Sequence, residues 1–143
     1  MAWQADPTRL RLRDGGAENR ATSRERNMPI ATNYLFIVSM DVTPEKEALF
    51  NEVYDTEHVP LLLELPGVRA VTRWKTEPAA FVIGGERKPL DGGTAARYVA
   101  IYEIDSPDIL VSKEWNEAAE KGRWASEVRP FTSNRSHIVR KKV

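Results

Sequence analysis

Two histidines and no cysteine set narrow limits on the chemistry this 143-residue chain can carry. Without thiols there is no cysteine nucleophile, no thiolate metal site and no disulfide. Of the two histidines, His58 has the more telling neighbours. Phe50, Tyr54 and His58 are spaced i, i+4 and i+8, so on a helix they share one face and line one wall of a pocket between helix and sheet. An imidazole in that position can shuttle a proton, and the Tyr54 phenol can donate a hydrogen bond to a carbonyl or enolate oxygen. Cyclisation or isomerisation of an activated carbonyl compound needs little more than this and a shaped pocket. Near the C-terminal end of its helix, with Asp55, Glu57 and Glu64 close in sequence, His58 is expected to favour the protonated form. A plainer role suits the same position: the ring caps the helix by bonding its last free carbonyls or Glu57.

Other side chains add to this wall. Tyr102 is a second hydrogen-bond donor, and Phe36, Phe50, Trp74 and Trp115 are candidate aromatic surfaces for a planar ligand, each with plain core as its alternative. Arg73 can bind a ligand carboxylate, or pair with Glu103 at a dimer interface. His137, on a late strand with Arg135 or Val139 as its face neighbour, has no metal spacing and reads as an edge or interface residue. No second ligand accompanies His58, so no metal site is expected. The pairs Gly84-Gly85 and Gly92-Gly93 do not follow a strand and open a helix, so they form no phosphate cradle. No tightly held cofactor is implied. The residues leave three roles open: an enzyme with His58 as proton shuttle, a non-catalytic small-molecule-binding or accessory protein with the same pocket, or a dimeric scaffold without any cavity.

The elements that must position these residues are legible from patterning. Residues 34 to 40 are β-branched and aromatic, with apolar residues on both alternating faces in the first half. Thr43-Pro44-Glu45 supplies an N-cap hydroxyl, a proline at the first helical position and an acid in the first turn. Leu49, Phe50, Val53 and Tyr54 follow at helical spacing, and Pro60 is expected to end or kink the helix near His58. After Pro66-Gly67, residues 68 to 76 alternate as a strand, with Arg69, Val71, Arg73 and Lys75 on one face and Val68, Ala70, Thr72 and Trp74 on the other. Residues 77 to 96 are long for a hairpin connection and are expected to be a mobile lid or a partly ordered arm. Residues 98 to 104 form a third strand. Ser106-Pro107-Asp108 opens a second helix striped by Val111, Trp115, Ala118, Ala119 and Gly122, and residues 134 to 140 form a fourth strand. This order is ferredoxin-like βαββαβ, a four-stranded antiparallel α+β sheet with both helices on one face. Apolar residues on the other sheet face then call for a second subunit, so a homodimer through that face is expected.

Twenty-one basic side chains balance 21 acidic ones, so net charge directs the chain neither to nucleic acid nor to an anionic membrane. No apolar run approaches a membrane span, and a cytoplasmic location is expected. Residues 1 to 32 are Arg-rich, carry Gly15-Gly16 and lack apolar periodicity; they are expected to be a disordered tail or a start-site artefact ahead of Met28, with a single domain over residues 33 to 143.

The run Phe50-Asn51-Glu52-Val53-Tyr54-Asp55-Thr56-Glu57-His58-Val59-Pro60, followed by Leu65-Pro66-Gly67-Val68, resembles the EthD-like branch of the dimeric α/β-barrel superfamily. There a helix reads Tyr-Asp-x-Glu-His-x-Pro before a Pro-Gly-Val turn. Residues 98 to 103, Ser106-Pro107 and Trp115 are similar to the second half of such proteins. The resemblance spans about residues 33 to 140 and implies ferredoxin-like protomers paired into a dimeric α/β barrel. It also implies a small cofactor-independent enzyme of the cyclase, isomerase or monooxygenase type, acting on a small aromatic, polyketide-like or lactone compound. Members that use haem are known, but no haem-ligating pattern is present here.

Overall fold

The β-branched and aromatic run forms strand β1, Tyr34–Val42. The computed structural model describes residues 30–143, so the tail expected over residues 1 to 32 lies outside the described residues up to residue 29. Thr32–Val143 is the unit described below. After β1 come helices α1 (Glu47–Val53) and α2 (Val59–Leu63), strands β2 (Val68–Lys75), β3 (Ala79–Ile83), β4 (Glu86–Leu90) and β5 (Tyr98–Ile104), helix α3 (Lys113–Glu120), and strand β6 (Thr132–Lys141). The four long strands pair antiparallel in the order β2-β5-β1-β6. Helices α1 and α3 reach the same sheet face: Phe50 packs on Tyr98 and Trp115 on Tyr102, with ring centroids 4.8 and 5.7 Å apart. The architecture is α+β and compatible with a ferredoxin-like fold. No helix among the described residues is long and apolar enough to cross a membrane.

Strand alternation divides the sheet. Tyr98, Ala100, Tyr102 and Ile104 of β5 are buried beneath the helices together with Val38 and Met40 of β1. The opposite face presents Leu35, Ile37, Val99, Ile101 and Ile138, with Trp74 more than half exposed at 58%. A bulge at Arg69 changes one assignment. Two residues of β2 oppose one of β5 there, which turns Val68 toward the helices instead of leaving it on the face of Ala70.

The helix carrying His58 does not end there. Tyr54–His58 form one π-helical turn, in which the Val59 N–H reaches back to the Tyr54 carbonyl. Pro60 thereby falls in the first turn of α2, where its missing N–H costs little. Nor does Thr43 cap with its hydroxyl. Its extended backbone offers its carbonyl to the Lys46 N–H at 3.0 Å, while Oγ1 is buried without a partner.

The second helical region is likewise broken in two. Ser106 Oγ accepts from the Asp108 N–H at 3.1 Å and caps a 3₁₀ turn, Pro107–Val111. Ser112 then provides a second cap, its Oγ accepting from the Trp115 N–H at 3.1 Å to start α3. Val111 therefore leaves the expected stripe and stands 86% exposed. The connection over residues 77 to 96 is an ordered arm: β3 and β4 form a hairpin turned by Gly84 and Gly85, both with positive φ, as a two-residue hairpin loop of this hand requires.

Candidate functional site

A cleft of about 600 Å³ lies between the helical face of the sheet and α3. Phe36 of β1 and Tyr102 of β5 supply its sheet side, Tyr54 and His58 of the π turn one wall, and Trp115 of α3 the other. Trp124, in a second π turn (Trp124–Val128), closes the inner end. Its indole stacks on the His58 ring, with centroids 4.6 Å apart and planes at 24°, while Tyr54 meets His58 edge-on at 5.2 Å.

Trp124 is held in place by a clamp on the residue just before it, Arg123. The Glu57 carboxylate accepts from the Arg123 backbone N–H at 2.9 Å and from Arg123 Nε at 2.6 Å, and Arg123 also reaches Glu52 at 2.8 Å. The backbone and side-chain hydrogen bonds from Arg123 hold the Glu57 carboxyl below its ordinary proton affinity. Gly122 makes the approach feasible. Its φ is +73°, and a Cβ there would sit 2.6 Å from Glu57 Oε1.

His58 is only 6% exposed. Its Nδ1 is buried with no hydrogen-bond partner. Burial is the main cause that pushes its pKa down to about 4, the Arg129 guanidinium adds to this, and Glu120 opposes it. The ring is therefore neutral at pH 7, not protonated as expected from its neighbours in sequence. The reason is structural: the helix runs on past His58 to Leu63, Glu57 is committed to Arg123, and Asp55 is paired with Arg73 at 2.7 Å. Nor does the ring cap the helix, whose final turn is closed by the Glu64 and Leu65 N–H groups.

The hydroxyls of Tyr54 and Tyr102 lie 3.4 Å apart in the core. Desolvation raises the pKa of Tyr54, against the Tyr102 hydrogen bond and Arg73, and raises that of Tyr102 well above its ordinary value. Both phenols stay protonated, and since one O–H serves the other, the pair retains one O–H to donate.

Phe36, Tyr54, His58 and Tyr102 thus come together at the cleft, whereas Phe50, Arg73 and Trp74 do not. Phe50 is sealed behind Tyr54 at 1% exposure. The Arg73 guanidinium lies 4.4 Å from the Tyr54 ring centroid, bonded to Asp55 and Asn51, each at 2.7 Å. Glu103 is not its partner, because Arg73 opposes Ala100 on the helical face while Glu103 opposes Leu35 on the other. Trp74 stands on that other face, its indole N–H bonded to Thr72 Oγ1 at 2.9 Å.

Sequence reasoning missed Trp124, the Glu120–Arg129 pair and the contribution of β6. His137 faces the cleft and stacks on Phe36 at 6.0 Å, because it pairs with Val38 across the sheet. The alternation of Arg135, His137 and Val139 was visible, but only the register with β1 assigns it to the helical face.

No protein-family model matches the chain, and no curated protein matches it. Among solved structures, it is similar to the crystal structure of an ethyl tert-butyl ether D (EthD) family protein from Bacillus halodurans C-125. The two are 14% identical with a TM-score of 0.48, over 77% of this chain and 99% of that one.

Proposed function

We propose that the cleft binds a small planar carbonyl compound, aromatic, polyketide-like or lactone in character, and that His58 moves a proton on it without a tightly held cofactor. The observation that carries this reading is a neutral, desolvated imidazole set beside two protonated phenols on the wall of one cleft. The imidazole takes a proton from the carbon next to the carbonyl; the electron pair of that C–H bond moves to the oxygen as an enolate. The free phenol O–H donates to that oxygen. Returning the proton to a different carbon completes an isomerisation; attack of the enolate carbon on a second carbonyl carbon of the same molecule moves that carbonyl's π pair to its oxygen, which takes the proton back from the imidazolium and completes a cyclisation. A pKa of about 4 makes His58 a weak base toward a neutral ligand. Negative charge growing on the enolate strengthens it as the proton moves.

Nuclear magnetic resonance in D₂O tests this step directly, by following exchange of protons α to the carbonyl in a panel of aryl ketones, lactones and β-dicarbonyl compounds. Wild type is expected to accelerate exchange for a bound member, and His58→Gln to lose about 10²-fold or more of that rate with little change in affinity. Binding without exchange would leave the non-catalytic ligand-binding role standing instead. The same reading takes the protein as a homodimer in which a second copy covers the apolar sheet face of Leu35, Ile37, Val99 and Ile101.

A further inference from the structure

Charge is unevenly distributed around the cleft. Its one carboxylate, Glu120, is committed to Arg129 through both carboxylate oxygens, one contact being Nη1 to Oε1 at 3.1 Å. That bidentate pair is close to neutral as seen by a ligand. Arg135 also lines the cleft, and among the described residues its side chain makes no hydrogen bond or ion pair. The lining therefore carries one cation without a counter-charge.

The backbone around Arg135 is specially shaped. Between the pairs Ser39–Ser136 and Asp41–Ser133 strand β6 holds two residues, Asn134 and Arg135, where β1 holds Met40 alone, so Arg135 is itself part of a bulge. Asn134 within it has φ +53°, the one non-glycine residue with positive φ among the described residues. The Asn134 amide ties the bulge on both sides, donating to Asp41 Oδ2 and to the Thr94 carbonyl, each at 3.1 Å. A strained residue held by two hydrogen bonds thus sets where Arg135 leaves the strand. Two residues on, His137 faces the same cleft, stacked on Phe36.

We propose that Arg135 is the carboxylate-binding residue of the cleft, so that its ligand is a planar carboxylic acid whose charged end lies at β6 and whose carbonyl end lies at Tyr54, Tyr102 and His58. This rests on the cleft being a ligand site, as proposed above. It transfers to β6 the role that Arg73 cannot fill from behind Tyr54. Glu120 and Arg129, already paired, contribute shape there more than charge.

The test compares acids with neutral partners of the same shape: benzoate with benzamide, salicylate with salicylamide, and phenylpyruvate with its methyl ester. Binding to the intact protein is followed at pH 7 by calorimetry and by chemical-shift perturbation. At least one acid is expected to bind about tenfold or more tightly than its neutral partner. Its affinity is expected to fall as sodium chloride is raised, since the residue is exposed to screening. Arg135→Gln should remove that preference while leaving the neutral partner's affinity within about twofold, and Arg135→Lys should restore part of it. Equal binding of acid and neutral partner to wild type overturns the inference while leaving the cleft reading intact. So does an Arg135→Gln variant that weakens both members equally, which marks a structural effect. Absence of binding by every pair, with no shift of cleft resonances, overturns both.

Discussion

The buried neutral imidazole of His58 imposes a pH dependence on folding that can be isolated by one substitution. Its pKa is 6.5 in the ordinary state and about 4 in the fold. Above pH 6.5 the ring is neutral in both states and contributes no slope. Below it the unfolded chain takes up a proton that the folded chain refuses, so stability falls with falling pH until about pH 4, where both are protonated. At 1.36 kcal/mol per unit the loss across that window amounts to about 3 kcal/mol. The depressed carboxylates Glu47, Glu57, Asp105 and Glu120 act in the same direction but begin only below their ordinary values of 4.5 and 3.8. The upper part of the window therefore belongs to histidine. His137 is also lowered, mainly by burial and then by Arg135, so His137→Gln serves as the background for the comparison. Urea unfolding followed by tryptophan fluorescence should show His137→Gln losing stability steadily from pH 6.5 to 4.5, at a slope approaching 1.4 kcal/mol per unit. The double variant with His58→Gln should be nearly flat there. Equal slopes in the two proteins, or a His58 ring that titrates above pH 6 in the folded state, would refute the reasoning that burial and Arg129 keep the imidazole neutral.

Three further outcomes follow from particular contacts. Gly122→Ala should destabilise the protein by about 1 kcal/mol or more in urea unfolding, because it strains a positive φ and drives a methyl group into the Glu57 carboxylate. Glu57→Gln should loosen the Arg123 clamp and unseat Trp124 from His58, seen as a red-shifted tryptophan emission and a His58 pKa raised toward 6.5 as water enters; an unchanged His58 titration would detach the clamp from the site. Ile101→Glu places a charge at the centre of the open sheet face, opposite Ile37 and Thr72, and should convert a dimer to a folded monomer in light scattering; a wild type that is already monomeric at high concentration would remove the dimer from the proposal.

Local rules decided much of this protein before any tertiary contact was considered. The alternation of Tyr98 to Ile104 and the apolar run from Tyr34 set two central strands, and the spacing of Phe50, Tyr54 and His58 set one helix face. Those signals are short-range: side-chain period and steric preference act within a few residues, so they can be read from the chain directly. Charge and aim could not. Asp55 and Glu57, adjacent in sequence to His58, face Arg73 and Arg123, and it is distant Arg129 and Trp124 that desolvate and bias the ring. The π turn that absorbs Pro60 likewise depends on how the helix packs as a whole. Alternation had already placed Arg73 and Trp74 on opposite faces of their strand, but pairing with β5 decided that Arg73's face is the one beneath the helices, and Arg135 and His137 joined the cleft only through the register of β6 with β1. Sequence determined which residues were available to a site. The tertiary structure decided which of them met, because pairing register and burial are set by residues far apart in the chain.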